Sequence, residues 1–336
     1  MPLVPMRQLL DEAGKGNYAV GAYNVNNMEQ IQAIMTAAQE TRSGVIIQAS
    51  RGALQYSNFA YLKHLMIAAV EENPDIPVAL HLDHGNSLET VKQAIAIGFT
   101  SVMIDGSLKE DSKTPTTFEE NVAVTKAVAE YAHPLGVTVE GELGTLGGIE
   151  DGVGSGTVTL TDPDQAVEFV KLTNVDALAV AIGTSHGAYK FKETPTLALD
   201  IVKEIHEKTP ELHMVMHGSS SVPQELVDIV NKYGGAMPNA KGVPMDQIQS
   251  VIPHGVRKVN IDSDGRIAIT GAIRKVFIET PDKFDPRDYL KPARTALAEL
   301  VAGKMRALGT GGSADKITQQ LTLEDMKKTY KEKGWI

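Results

Sequence analysis

Residues 78–104 read VALHLDHGNSLETVKQAIAIGFTSVMI, and this stretch decides the fold of the chain. It opens with a short apolar run at residues 78–82, continues through a helical pattern over residues 88–97, and closes with a second apolar run at residues 101–104. Continuously apolar runs of this length are typical of parallel strands that are buried on both faces. The stretch therefore predicts one strand–helix–strand unit of a parallel sheet.

The same alternation extends in both directions along the chain. Strand-like runs lie at residues 19–22, 45–48, 78–82, 101–104, 138–139, 177–182, 214–216 and 258–261. Helical patterns occupy residues 28–41, 62–72, 88–97, 118–133, 164–172, 196–208 and 223–232. Eight strand-like runs that alternate with helical patterns, without a break in composition, predict an α/β fold of the (β/α)₈ TIM-barrel type.

We expect a single barrel domain over residues 1–305 and a helical extension over residues 306–336, packed on the barrel or on a neighbouring subunit. A doubly wound sheet is the alternative fold. It would require a glycine-rich turn after the first strand, and residues 22–27 read AYNVNN.

The composition excludes several kinds of chemistry. The 336 residues include no cysteine, so disulfides, thiol nucleophiles, iron–sulfur clusters and cysteine-bound zinc are ruled out. The formal net charge of −10 argues against a nucleic-acid partner and against an anionic membrane surface. No signal-peptide pattern and no membrane-length apolar run occurs, so we expect a soluble, cytoplasmic protein.

Polar residues follow nearly every predicted strand. In a barrel of this type the active site lies at the carboxyl ends of the strands. The residues at those positions are Asn24, Ser50, Arg51, Asp83, His84, Asp105, Glu140, Glu142, Ser185, His186, His217, Gly218, Asn260, Asp262 and Ser263. Their convergence predicts an active site, in which Asn24 and Ser50 are candidates for binding substrate.

Three of the strand-end residues are histidines, and they predict a metal site. His84, His186 and His217 follow different strands, and three imidazoles that leave an open position are the usual ligands of catalytic zinc. Asp105 and Glu142 either form a second cation site or orient the imidazoles, and the residue pattern leaves both interpretations open.

The turns after the seventh and eighth strands predict an anion site. Gly218, Ser219 and Ser220 offer backbone amides and hydroxyl groups. Loops at this position commonly bind phosphate in a (β/α)₈ barrel. The facing residues are Asn260, Ile261, Asp262 and Ser263.

The motifs at the strand ends have a counterpart in a known family. LDHG at 82–85, EGELG at 140–144, GTSHG at 183–187, HGSS at 217–220 and NIDS at 260–263 resemble the class II, metal-dependent fructose-1,6-bisphosphate aldolases. NVNNMEQI at 24–31 and IGTSHGAYKF at 182–191 are similar to the Calvin-cycle-like variant. The resemblance implies reversible cleavage of fructose 1,6-bisphosphate, with sedoheptulose 1,7-bisphosphate as a further substrate in carbon fixation.

The resemblance also implies how the metal and the protons are handled. Catalytic Zn²⁺ would be held by His84, His186 and His217. A second divalent metal or a monovalent cation would lie at Asp105 and Glu142. Asp83 would exchange a proton with the C4 oxygen of the substrate, and Glu150 in the glycine-rich segment 141–156 would be the base for the ketose half. That segment would act as a lid.

The remaining implied residues bind the phosphosugar. The dihydroxyacetone-phosphate pocket would comprise Gly187, Lys190, Gly218, Ser220, Asn260, Asp262 and Ser263. Ser50 and Arg266 would contact the other end of the substrate, and Arg287 would reach the site of a neighbouring subunit. A homodimer or homotetramer is therefore expected.

Three alternatives stay open at this point. A Schiff-base aldolase would use Lys258, which is the candidate lysine on a strand. A tagatose-1,6-bisphosphate aldolase would differ in the configuration of one substrate hydroxyl. A non-catalytic phosphosugar-binding barrel would not need His84, His186, His217 and Asp83 to converge.

Overall fold

The structure is a computed structural model that describes residues 3–148, 158–188 and 195–336. Its strands are β1 Val20–Asn24, β2 Val45–Ser50, β3 Val78–Gly85, β4 Ser101–Ile104, β5 Thr138–Leu143, β6 Ala177–Val180, β7 His213–Met216 and β8 Val256–Ile261. All neighbouring strands are parallel and follow the order of the sequence, and β8 pairs with β1 to close a barrel. The predicted (β/α)₈ fold is confirmed.

Helices surround the barrel and cover its amino-terminal end. They are α1 Met6–Gly16, α2 Met28–Thr41, α3 Arg51–Ser57, α4 Phe59–Glu72, α5 Leu88–Ala96, α6 Phe118–Ala132, α7 Pro163–Thr173, α8 Leu199–Lys208, α9 Gln224–Lys232, α10 Met245–Val251, α11 Ser263–Glu279, α12 Pro286–Ala307, α13 Ser313–Lys316 and α14 Leu323–Glu332. Short 3₁₀ helices at His133–Leu135 and Ile252–His254 precede β5 and β8.

All strands except β4 differ from their predicted bounds by a few residues, and at β5 the difference has a clear physical reason. β5 continues from residue 139 to Leu143, because Glu140 and Glu142 point into the barrel and break the apolar pattern. The glycine-rich segment therefore begins later than predicted, and its residues 149–157 lie outside the described chain. β6 ends at Val180 rather than at residue 182.

The barrel interior is apolar at one end and polar at the other. At the amino-terminal end, Val20, Ile46 and Val215 of the strands pack against Met6 and Leu9 of α1. Polar side chains fill the interior above this layer, and all of them are buried: Gln48, His81, Ser101, Glu140 and Lys258. Helix α1 thus plugs one end with hydrophobic contacts, whereas the other end is left for polar groups.

The carboxy-terminal residues pack against the amino-terminal end of β5 and β6. Tyr330 of α14 is buried, and its hydroxyl donates to Asp176 Oδ2 at 3.0 Å. Its ring stacks on His133 with the centroids 4.1 Å apart, and Trp335 stacks on both rings. The division of the chain at residues 305 and 306 stays a prediction. Among the described residues, no helix combines the length and apolar character needed to cross a membrane.

Candidate active site

A pocket opens at the carboxyl ends of the strands. Most of its lining residues were predicted from their positions after the strands. The full lining is Asn24, Ser50, Arg51, Gly52, Asp83, His84, His186, Gly218, Ser219, Ser220, Asn260 and Asp262. Nearly all of these lining residues are polar.

Asp83 and His84 both face this pocket because β3 departs from regular geometry. Consecutive side chains of a regular strand point to opposite faces. Here the pairing of β3 with β4 shifts register between Leu82 and Gly85, and His84 has a left-handed backbone with φ of 50°. Such a conformation is uncommon for a residue other than glycine and is found preferentially at functional sites.

The three predicted histidines meet beside Asp83. The ring centroids of His84 and His217 are 4.8 Å apart, and those of His84 and His186 are 5.2 Å apart. The Nε2 atom of His84 lies 3.2 Å from Nδ1 of His217. Three imidazoles from different strand ends therefore converge, as the sequence predicts.

Carboxylates complete two groups of potential ligands. Asp83, His84 and His217 each offer one ligand atom, and these atoms lie within 4.8 Å of one another. The same holds for His84, Asp105 and Glu142. His84 is common to both groups, so two cations bound at these positions would be close neighbours.

The electrostatics of the cluster suit a cation. Burial alone would lower the pKa of His84, but the charges on Asp83, Asp105 and Glu142 raise that pKa to about 10. Burial and repulsion from Asp105 raise the pKa of Glu142 well above its usual value. His84 Nδ1 and Glu142 Oε2 are buried, and within the described residues they have no hydrogen-bond partner. A divalent cation would neutralise the negative charge of the carboxylates and bind these atoms, which face ion-pair partners, Asp105 Oδ2 at 3.5 Å and His217 Nδ1 at 3.9 Å.

Asp83 is held as an ionised carboxylate. Asn24 Nδ2 donates to its Oδ2 at 2.9 Å, and Asn260 Nδ2 donates to its Oδ1 at 3.2 Å. Gln48 Nε2 donates to Oδ2 at 3.3 Å. Burial would raise the pKa of Asp83, but positive charge at His84 and the amide donors lower it below its usual value. The carboxylate can therefore accept a proton from a bound molecule.

A buried ion pair between Glu140 and Lys258 lies directly beneath the site, and the sequence does not predict this pairing. Glu140 Oε1 is 2.8 Å from His217 Nε2, and Glu140 Oε2 is 2.9 Å from Lys258 Nζ. Lys258 Nζ also donates to Asn260 Oδ1 at 2.8 Å. The signal in the sequence was a polar residue inside an otherwise apolar strand run, as at Gln48 and Lys258. An amine held in a buried ion pair is a poor nucleophile, which argues against Schiff-base chemistry at Lys258.

The turn after β7 forms the opposite wall of the pocket. Gly218 has φ of 60°, and a Cβ atom there would lie 2.6 Å from the carbonyl oxygen of Ser185, so only glycine fits. Ser220 Oγ accepts from the amide of Asp262 at 3.2 Å, just before α11 begins. The amino terminus of a helix favours bound anions, so this wall suits a phosphate group.

Other predicted residues lie outside the lining. Ile261 packs its side chain into the hydrophobic layer between the barrel and the helices. Arg266 is half-exposed and pairs with Asp262, with Nη2 and Oδ2 2.6 Å apart. Arg287 is exposed at the start of α12 and pairs with Asp285. Gly187 follows His186 with φ of 86°, and Ser263 is buried at the start of α11. Glu150 and Lys190 lie outside the described residues.

The fold and the site together define a barrel enzyme in which a cluster of imidazoles and carboxylates offers ligand atoms for a metal, beside a wall whose groups suit an anion. The family model described as fructose-bisphosphate aldolase class-II matches residues 4–313. The chain belongs to this family, whose members are in general metal-dependent. It is accordingly an aldehyde-lyase.

Individual relatives agree with this family. A fructose-bisphosphate aldolase of Giardia intestinalis is 57% identical, and the match covers 98% of this chain and 100% of the relative. A fructose-bisphosphate aldolase of Nostoc commune is 54% identical, with 98% and 96% covered. The crystal structure of the YdjI aldolase from Escherichia coli K12 superposes with a TM-score of 0.74 at 30% identity, covering 93% of this chain and 99% of that chain.

Proposed function

We propose that this aldolase cleaves fructose 1,6-bisphosphate reversibly to dihydroxyacetone phosphate and glyceraldehyde 3-phosphate, with Asp83 as the group that moves the proton of the C4 hydroxyl. The position of Asp83 is the observation that supports this proposal most directly. Its carboxylate is buried, is kept ionised, and lies beside His84 and His217 in the pocket that the turn after β7 also lines. A ketose phosphate that spans the two histidines and this turn would bring its C4 hydroxyl to Asp83.

The proposed cleavage begins with proton transfer from the C4 hydroxyl to Asp83. Asp83 removes the proton from the C4 hydroxyl, the C4–O electrons form the aldehyde, and the C3–C4 bond breaks. Its electron pair remains on C3 as an enediolate, which then takes up a proton to give dihydroxyacetone phosphate. In the condensation direction Asp83 returns its proton to the new C4 hydroxyl. Glu150 is our proposal for the base on the ketose half.

We propose that the metal is zinc, held by His84, His186 and His217. The ligand set supports zinc, because imidazole nitrogen is a preferred zinc ligand and the chain has no cysteine. When bound, such an ion stabilises developing negative charge on substrate oxygens as a Lewis acid. Asp105 and Glu142 are the proposed ligands of a second divalent metal or a monovalent cation. His217 is oriented for ligation by Glu140, which contacts its far nitrogen.

We propose that the two phosphates bind at opposite ends of the pocket. Gly218, Ser219 and Ser220 supply amides and hydroxyls at one end, together with Gly187, Lys190, Asn260, Asp262 and Ser263. Ser50 and Arg266 contact the other end. These groups are needed because the chain carries a net charge of −10 and has no general attraction for an anion.

We propose a homodimer or homotetramer in which Arg287 reaches the site of a neighbouring subunit. The segment between α11 and α12 supports this proposal. Its Phe284 is 90% exposed, and Ile278 and Phe277 at the end of α11 are also exposed. Exposed apolar residues grouped in this way are typical of a protein interface. Sedimentation of the purified protein tests it, and a monomer at working concentration would contradict it.

Cleavage kinetics test the proposed reaction. Fructose, tagatose and sedoheptulose bisphosphates are compared as substrates, with and without a chelator, followed by re-addition of zinc. We expect the highest kcat/KM for fructose 1,6-bisphosphate, loss of activity on chelation, and recovery with zinc. Preference for the tagatose substrate would overturn the substrate assignment, and chelator-resistant activity would overturn the metal assignment.

A further inference from the structure

A second buried ion pair lies behind the anion-binding wall, on the side away from the pocket. Lys304 of α12 and Asp264 of α11 are both buried, and Lys304 Nζ is 2.7 Å from Asp264 Oδ2. Neither residue lines the pocket that contains Asp83. A buried ion pair is weak evidence for stability, because removing two charges from water offsets much of their attraction. The contacts of the pair indicate a different role.

The pair contacts the turn after β7. The amides of Ser221 and Val222 donate to Asp264 at 3.0 Å and 2.7 Å, and the hydroxyl of Ser221 donates to the same carboxylate at 3.2 Å. Lys304 also contacts the Ser221 hydroxyl. One carboxylate thus fixes two consecutive amides of the turn that directly follows Ser220, which lines the pocket.

The turn needs such support because its backbone is strained. Val222 has φ of 48°, a left-handed conformation that is unfavourable for a β-branched residue. Strained residues of this kind persist only where surrounding contacts determine them. On the other side of the turn, the amide of Val243 donates to the carbonyl of Ser220 at 3.2 Å. The backbone of Ser220 to Val222 is therefore clamped from two sides.

We propose that Asp264 and Lys304 are positioning residues for substrate phosphate, which hold the turn of Gly218, Ser219 and Ser220 in its binding geometry. The proposal rests on the proposed function, since it assigns the phosphate to that turn. Lys304 balances the charge of Asp264. Asp264 accepts the amides of Ser221 and Val222, and these hydrogen bonds hold Val222 in its left-handed conformation. Misplacing binding groups by about 1 Å can lower rates about a hundredfold, so the clamp matters even without touching substrate.

The chain offers a matched control pair at the other end of the barrel. Arg7 and Asp176 are also buried, with Nη1 and Oδ1 3.0 Å apart, and Asp176 likewise accepts a backbone amide, that of Val139, at 2.8 Å. This pair lies at the amino-terminal end of the strands, away from the pocket. Arg7→Met removes a buried cation from a carboxylate as Lys304→Met does, but it leaves the turn after β7 intact.

The test compares Lys304→Met, Lys304→Arg and Arg7→Met with the unmodified protein. Binding of inorganic phosphate is measured as competitive inhibition and by calorimetry, beside KM and kcat for fructose 1,6-bisphosphate and the metal content. For Lys304→Met we expect the phosphate Kd and the KM to rise about tenfold or more, with a smaller change in kcat, unchanged metal content, and partial rescue in Lys304→Arg. Arg7→Met should keep the phosphate Kd and KM of the unmodified protein.

Two results would overturn the proposal: unchanged phosphate affinity and KM in a folded Lys304→Met protein, or an equal loss of phosphate affinity in Arg7→Met. If Lys304→Met does not fold, Asp264→Asn replaces one of the two oxygens that accept the amides of Ser221 and Val222, and unchanged phosphate affinity in that variant also overturns it. Failure of the proposed function is a separate result, because the unmodified protein would then bind phosphate without cleaving fructose 1,6-bisphosphate.

Discussion

Lys258 and Glu140 form an ion pair across the interior of the barrel, with Lys258 Nζ 2.9 Å from Glu140 Oε2 and both side chains fully buried. The pair joins two parts of the site. Glu140 contacts His217 among the proposed metal ligands, and Lys258 donates to Asn260, which in turn donates to Asp83. The proposed metal ligand His217 and the proposed proton acceptor Asp83 are therefore both held through this ion pair.

Replacing Lys258 by methionine should destabilise the protein and lower its activity. Glu140 would be left as a buried charge without its main partner, which typically costs about 3–5 kcal/mol. Urea unfolding measures the loss. The double variant Lys258→Met with Glu140→Gln should recover part of the stability, because no unpaired charge remains. A single variant as stable as the parent would show that the pair has no net stabilising role.

Removing one proposed zinc ligand should release the metal. His186→Ala deletes one of three converging imidazoles, and loss of a ligand from a three-histidine site lowers affinity by orders of magnitude. Metal content after dialysis, measured by atomic absorption, is expected to fall far below that of the unmodified protein. His64→Ala, which alters a histidine on α4 outside the site, is the control. Full zinc occupancy in His186→Ala would refute its assignment as a ligand.

Asp83→Asn should keep the fold while abolishing cleavage. The amide can still occupy the position between Asn24 and Asn260, but it cannot take up a proton. Loss of a general base typically lowers kcat by about 10²–10⁴-fold. Stopped-flow or coupled assays measure the change, and the unfolding midpoint should be altered little by comparison. Turnover near that of the parent would exclude Asp83 as the proton acceptor.

The metal-free protein should become less stable as the pH rises. The pKa of His84 is about 10 in the folded protein and 6.5 as the ordinary value, so protonation of this group favours the folded state. Its contribution is complete below pH 6.5 and is lost as the pH rises toward about 10. Glu142, whose pKa is also raised, acts with the same sign.

Metal takes the place of the proton, so added zinc should raise the melting temperature more at pH 9 than at pH 6.5. Thermal unfolding across this range, with chelator or with zinc, measures both effects. His84→Asn is the control variant, since it removes the titrating ring, and its metal-free form should show a weaker pH dependence. A metal-free parent protein that gains stability toward pH 9 would contradict the charge balance described for the cluster.

The architecture and most of the pocket could be predicted from the sequence because both depend on local patterns. Apolar runs marked the strands, and the polar residue after each run marked the pocket, as at Asp83, His186 and Asn260. Helices α1, α3, α10, α11 and α12 were not predicted. The amphipathic pattern of α1 is visible in the sequence over Met6–Gly16, whereas Pro292 lies inside α12 and interrupts its helical pattern.

The buried polar contacts beneath the site could not be predicted, because they join residues that are distant in the sequence. Glu140, Lys258 and Gln48 belong to different strands, and only closure of the barrel brings Glu140 and Lys258 together. The turn of His84 into the pocket likewise depends on the bulge between β3 and β4, which no local pattern indicates. The site was therefore visible in the sequence as a set of residues, but the contacts among them were not.

The left-handed backbone of His84 restricts how the proposed metal site could be redesigned. Only glycine, asparagine, aspartate and histidine adopt such a conformation with some frequency, whereas glutamate or cysteine there would carry a backbone penalty of about 1–2 kcal/mol. His186 and His217 have no positive φ. Substitutions intended to alter the metal preference of the proposed site should therefore begin at His186 and His217, and His84 should be kept unchanged.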